Sequence, residues 1–240
     1  VSICSPNYLH DSHIRFALRH GADAICEKPI VLNPWNVDAL QVIENETGHK
    51  INTVLQLRLH PKIAELREKI LNGPKDKVYD VDLTYITSRG NWYNISWKGD
   101  IQKSGGVATN IGIHFFDMLG WIFGEVKNNV VNISEINKAG GYLELKNARV
   151  RWFLSLDYND IPAESKEKGQ RTFRSVTVEG EEVEFSEGFT DLHTATYKEI
   201  IAGRGFGLDQ VRQSVITAYT IRNARPIGLQ GNYHPILKEI

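Results

Sequence analysis

The chain has 240 residues, 41% of them hydrophobic, with 28 basic side chains against 29 acidic ones and a formal net charge of -1. The apolar content can fill one large core or two small ones, while so balanced a charge gives no field to gather nucleic acid or an anionic membrane surface, and neither is expected as a partner. No apolar run reaches the ~18 residues that cross a bilayer and no basic stretch leads into an apolar one at the start, so the expected location is cytoplasmic.

Residues 1–4 have strand composition from the first position. Asn7 is placed to cap a helix running to about His20, on which Leu9, Ile14, Ala17 and Leu18 recur near helical spacing, and Gly21 stops it. Residues 22–26 read as a buried strand. Asn33-Pro34 supplies an N-cap and first-turn pair for a helix carrying Val37, Leu40 and Ile43, Gly48 ends it, and residues 51–55 form a third strand. Cys4 and Cys26 fall in these strand-like runs and read as small buried thiols rather than as a bridge. This alternation has the spacing of parallel βαβ units with right-handed crossovers. Small molecules bind such sheets beyond the carboxyl ends of the strands, where Ser5-Pro6-Asn7, Glu27-Lys28-Pro29 and Gln56 converge. Lys28 then either faces the crevice or is a surface lysine on a turn that Pro29 stiffens.

Beyond residue 75 the pattern changes. Residues 79–88, 130–136, 141–145, 150–156, 172–178 and 182–185 read as strands of a large open, mostly antiparallel sheet, with a hairpin turning at Glu179-Gly180. A helix over 109–123 packs Ile111, Phe115, Met118, Leu119 and Ile122 on one side. Residues 157–169 form a polar connection with a helical turn, and 190–202 and 209–223 form closing helices. The fold class is therefore α/β for residues 1–56 followed by α+β for residues 57–240.

Three local signals carry less than they suggest. Gly203-Arg-Gly-Phe-Gly207 follows a helix, not the strand a phosphate loop needs, and reads as a linker. His10 and His13 could share a metal but lack an identifiable third ligand, so no metal is expected. Trp92, Tyr93 and Trp97 either stack a base or sugar or cap the core at a sheet edge. The segment from Ser104 to Asp117 is more informative: two glycines lead into a helix that spaces Asn110, His114 and Asp117 by four and three, with Asn110 and His114 on one face.

Glu27-Lys28-Pro29 after a strand, followed by Gly-Gly-x-x-x-Asn-x-Gly-x-His-x-x-Asp, resembles the glucose–fructose oxidoreductase, inositol dehydrogenase and MocA-like family of nicotinamide-dependent sugar dehydrogenases over essentially the whole chain. The strings SICSPNYLH, QLRLHP, TYITSRGNWY and SEGFTDLHT are most similar to its bacterial subgroup acting on UDP-N-acetyl-2-amino-2-deoxyglucuronate in surface-polysaccharide synthesis. The resemblance implies oxidation of a sugar C3 hydroxyl to a ketone with hydride passing to NAD. It implies that Ser5, Pro6, Asn7, His10, Glu27, Lys28, Pro29 and Gln56 line the cofactor, and that Arg58, Arg89, Asn91, Tyr93, Lys98 and Asn110 bind a nucleotide-sugar substrate.

The departing proton needs a base within about 3 Å, and Lys28 and His114 are the candidates. His114 starts nearer neutrality and is expected to be the base, with Lys28 donating to the developing alkoxide; the converse stays open. Asn110 stands where many family members carry aspartate, so it cannot raise the basicity of His114 and is expected to hold substrate instead. No Gly-x-Gly-x-x-Gly follows a strand in these residues. The resemblance therefore implies that residues 1–56 are the C-terminal half of a Rossmann NAD-binding domain, with strands 1–3 and the glycine-rich loop upstream of Val1, and that the polypeptide as written does not hold the NAD pyrophosphate. It also implies a homo-dimer or homo-tetramer through the open sheet. An NAD-dependent glycosidase on the same fold, and a non-catalytic sugar-binding or oligomerisation module, are the alternatives.

Overall fold

The computed structural model describes residues 1–183 and 189–239. Three short strands, β1 (Ser2–Ile3), β2 (Ala24–Cys26) and β3 (Ile51–Thr53), pair in parallel in that order. They are linked by a 3-10 turn (Asn7–Leu9) leading into α1 (His10–Arg19), and by α2 (Pro34–Thr47). Ile14, Ala17 and Leu18 on α1, and Val37, Leu40 and Ile43 on α2, are buried against Ile3, Ala24, Cys26 and Ile51, which is the core the helical spacing predicts. Gly48 takes the left-handed conformation that ends α2 (φ 72°). The segment 203–207 does more than link helices, because the Phe206 carbonyl accepts from Thr53 N–H at 2.8 Å and pairs with the free edge of β3.

Three expectations are corrected here. Asn7 caps nothing; its amide reaches into the second unit. Asn33 holds the N-cap position of α2 in extended backbone, but its Oδ1 accepts from Arg222 instead of from the first turn. Cys4 lies past the end of the two-residue β1 and is exposed, whereas Cys26 is buried, which pushes its thiol pKa up.

A 3-10 turn (Gln56–Leu59) leads to α3 (Pro61–Asn72), capped by His60 Nδ1 accepting from Lys62 N–H at 3.2 Å. Then come β4 (Tyr79–Thr87), α4 (Asn91–Ile95), α5 (Ile101–Ser104), a π-helical turn (Ala108–Gly112) running into α6 (Ile113–Phe123), and the meander β5 (Val126–Ser134), β6 (Lys138–Leu145) and β7 (Ala148–Ser155). After α7 (Ala163–Glu167), β8 (Thr172–Val178) and β9 (Glu181–Glu182) complete the sheet, and α8 (Leu192–Ile201) and α9 (Leu208–Asn223) follow. The sheet order is β5-β6-β7-β4-β8-β9. Its pairs are antiparallel except β4 with β7, which run parallel at the centre, because the long excursion through α4–α6 and the meander returns the chain in its original direction. Glu179 and Gly180, both at positive φ, turn the β8–β9 hairpin where the sequence places it. The end of the strand expected over 182–185 lies outside the described residues.

One face of this sheet carries α6. Phe116 meets the fully buried Trp152 of β7 edge-on at 5.3 Å. Gly112 lets the π turn approach the sheet: a Cβ there would stand 2.7 Å from Leu154 Cδ1. That approach fixes where Asn110 and His114 sit.

On the opposite face, Leu237 of the C-terminal segment packs with Ile86, Phe153 and Ile161, and the buried His234 shares a 3.0 Å hydrogen bond with Thr84 Oγ1. Burial holds the His234 pKa down to about 4, against the upward pull of Asp82. The unfolded chain therefore binds more protons between about pH 6.5 and 4, and stability is lost as pH falls through that window. Wild type is expected to lose on the order of 3 kcal/mol more than His234→Gln on going from pH 7 to 4, as read from urea denaturation; parallel losses in the two proteins would remove His234 as the cause.

Candidate active site

Between the two units lies a cavity of ≈ 230 Å³, with Lys28 and Gln56 on the side of the parallel sheet and Arg89, Tyr93, Lys98, Asn110 and His114 on the other. Lys28 follows β2, and its Nζ donates to the backbone carbonyl of Asn110 at 2.8 Å. That carbonyl belongs to the π turn, a widened form of helix frequent at functional sites. The side chain of Asn110 is engaged as well: Asn7 Nδ2 donates to its Oδ1 at 3.1 Å and to the Ser104 carbonyl at 2.9 Å, while Asn110 Nδ2 donates to the Tyr93 hydroxyl at 2.7 Å. Asn110 thus connects the two sides of the cleft while lining the cavity itself. Because Tyr93 oxygen accepts from Asn110, its own proton is left to donate, and burial raises its pKa so that it stays protonated.

Charge shapes the two candidate bases differently. Burial lowers the Lys28 pKa to about 8; Glu27 opposes this, and the cations Lys98 and Arg89 add to it. His114 is lowered well below 6.5, first by burial and then by Lys28, His193 and Arg174. Burial and the surrounding cations thus bring the lysine's pKa down to about 8 and carry the histidine's well below its ordinary value.

The remaining expected residues divide. Arg89 and Lys98 line the cavity. Ser5 bonds His13 at 2.9 Å, and Glu27 stands 3.4 Å from His193 on α8. His10 is 1% exposed, with its ring nitrogens 2.7 and 2.8 Å from the carbonyls of Pro29 and Ser5. It ties two strand-end loops together through these carbonyls. Asn91 is exposed at the start of α4 and does not line the cavity.

Arg58 is a clear correction. It lies outside the cavity, its Nε and Nη2 donating to Asp117 at 2.9 and 2.7 Å and Nη2 also to the Gln210 carbonyl at 3.0 Å. Its charge and the donors on Nε and Nη2 are used within the fold.

Tyr85, Arg174 and Phe189, not expected at the site from the sequence, line the cavity as well, together with the apolar Leu57, Ile111 and Phe115. Arg174 was accessible in principle, because alternation along β8 puts it on the same face as Val176 and Val178, which pack into the core. A lone charge in an apolar row is a signal of function.

Residues 1–54 match the family model described as an oxidoreductase family, NAD-binding Rossmann fold, and residues 67–166 match the model of that family's C-terminal alpha/beta domain. The chain is similar to the WlbA (WbpB) dehydrogenase from Thermus thermophilus, solved with NAD and alpha-ketoglutarate, at 50% identity and TM-score 0.94 over 98% of this chain and 75% of that one. The same protein solved with NAD and UDP-GlcNAcA gives 49% and 0.93 over the same shares. Among curated relatives, D-glucoside 3-dehydrogenase of Escherichia coli (strain K12) is 30% identical over 58% of this chain, and inositol 2-dehydrogenase of Rhizobium meliloti (strain 1021) is 31% identical over 52%. These matches span only 40% and 36% of the two relatives' lengths.

Proposed function

Because both of its units match one family, the chain belongs to the oxidoreductases named for glucose–fructose oxidoreductase, inositol dehydrogenase and MocA, and we propose that it serves an NAD-dependent dehydrogenase oxidising the C3 hydroxyl of a UDP-linked N-acetylglucosaminuronate. The observation that carries this reading is the cavity itself, where Lys28 and His114 face one space from opposite units beneath the cations Arg89, Lys98 and Arg174. A nucleotide sugar with a carboxylate and a diphosphate calls for such charge-assisted donors. The likeness to a dehydrogenase solved with NAD and UDP-GlcNAcA supports the same substrate class.

The nicotinamide end of NAD fits the residues present. Gln56 lines the cavity, and its Oε1 is buried with no hydrogen-bond partner; an amide N–H or a sugar hydroxyl would satisfy it. When bound, NAD supplies the hydride acceptor. Lys28, as the neutral amine, takes the hydroxyl proton while its own N–H stays anchored on the Asn110 carbonyl. His114 is uncharged at working pH, and its one ring N–H can donate to the same oxygen as negative charge develops on it. Tyr93 donates its free proton to the sugar. The Asn7–Asn110–Tyr93 chain keeps cofactor side and substrate side in register.

The product is a 3-keto nucleotide sugar, and surface-polysaccharide synthesis in the cytoplasm is the setting we propose for it. We extend the proposal to a homo-dimer or homo-tetramer formed through the open part of the six-stranded sheet.

Incubating the whole protein that carries this chain with NAD and UDP-N-acetylglucosaminuronate is expected to produce NADH and an intact nucleotide sugar lighter by two hydrogens. Release of free UDP in step with turnover would instead indicate elimination of the leaving group, as in an NAD-dependent glycosidase; no consumption would sink the dehydrogenase reading.

A further inference from the structure

The cavity holds its positive charge at two poles. Arg89 and Lys98 come from the segment after β4; Arg89 is exposed, and Lys98 Nζ sits 5.1 Å from the ring of Trp92, itself half exposed. Arg174 comes from β8, opposite Tyr85 in the sheet register. Its guanidinium lies over the rings of Phe189 at 4.3 Å and Tyr85 at 5.4 Å. Stacking of this kind supports a guanidinium while leaving its in-plane donors open, and among the described residues Arg174 has no carboxylate partner. The poles act on different reacting groups: Arg89 and Lys98 on Lys28, Arg174 on His114.

The geometry of a pyranose matches this division. C3 lies across the ring from the ring oxygen, and C1 and C5 flank that oxygen. If C3 faces Lys28 and His114, the substituents on C1 and C5 must leave on opposite sides. One bears a diphosphate with two charges, the other a carboxylate with one. The outer pole offers two cations beside an exposed tryptophan and opens toward solvent, as a nucleotide tail needs. The inner pole offers one planar fork, which suits a carboxylate held through two parallel hydrogen bonds.

We infer that Arg174 reads the C5 carboxylate while Arg89 and Lys98 hold the diphosphate, so that preference for an acidic over a neutral sugar resides in one side chain of β8. The inference rests on the C3-oxidation reading. It is tested by comparing UDP-N-acetylglucosaminuronate with UDP-N-acetylglucosamine, whose C5 carries a neutral hydroxymethyl group, in both NADH formation and sugar binding. Arg174→Gln is expected to reduce the uronate-over-neutral preference about 100-fold, mainly through KM. Arg174→Lys, which keeps the charge but not the fork, should fall between. Arg89→Gln should weaken both sugars alike, since both carry the diphosphate. Thermal melting of each variant separates these effects from misfolding. A preference that survives Arg174→Gln, or equal losses with both sugars in that variant, overturns the inference while leaving C3 oxidation intact. Wild-type protein that binds and oxidises neither sugar overturns both.

Discussion

Replacing Lys28 by methionine is expected to slow hydride transfer about 10³-fold, with little change in nucleotide-sugar affinity, and to abolish a pH dependence that wild type displays. The amine titrates near 8 because burial, Lys98 and Arg89 all disfavour its ammonium form. Only the neutral amine can accept the hydroxyl proton, so below about pH 8 the wild-type single-turnover rate should rise tenfold per pH unit, levelling above it. His114 is held well below 6.5 and has already lost its proton across this range, so it contributes no rising limb there. In Lys28→Met the residual rate should be flat from pH 7 to 9. A wild-type profile that is flat through 8 and falls only below 6 would return the role of base to His114.

How far each of these two side chains is shifted was not legible from residue types, since it depends on which cations the fold gathers around each. Lys28 and His114 are 86 positions apart by subtraction, and Arg174, which helps suppress the histidine, lies on a strand whose neighbours are set by long-range pairing. What was legible came from local periodicity. Ile14, Ala17 and Leu18 announced α1, and Glu179-Gly180 announced its hairpin, because each signal lies within a few residues of what it specifies.

Misplaced roles share the opposite character. Asn7 is of a type that caps helices, but it lies inside the 3-10 turn and a partner 103 residues away in sequence claims its amide. The parallel pairing of β4 with β7 was equally invisible, since two strands of similar composition carry no mark of their relative direction. The π turn at 108–112 depends on a glycine close to Leu154 of a distant strand. Each miss is a tertiary partner overriding a local preference that was itself read correctly.

The buried pair of Arg58 and Asp117 gives the largest stability effect expected. Arg58 is 8% exposed and Asp117 4%, and the guanidinium also sits 5.1 Å from the ring of Phe206 and 5.9 Å from that of Trp121. The pair ties the turn after β3 to α6, and through the Gln210 carbonyl to α9. Asp117→Ala leaves the guanidinium charged and without its carboxylate in a site that water hardly reaches, at an expected cost of roughly 3–5 kcal/mol in urea denaturation. Arg58→Met with Asp117→Leu removes both charges and both desolvation penalties, and should recover most of that loss. The same double variant separates structure from binding. If Arg58 acts only within the fold, a stable double variant keeps wild-type affinity for the nucleotide sugar. If affinity falls while stability is restored, Arg58 reaches the substrate after all, and its assignment to the scaffold is wrong.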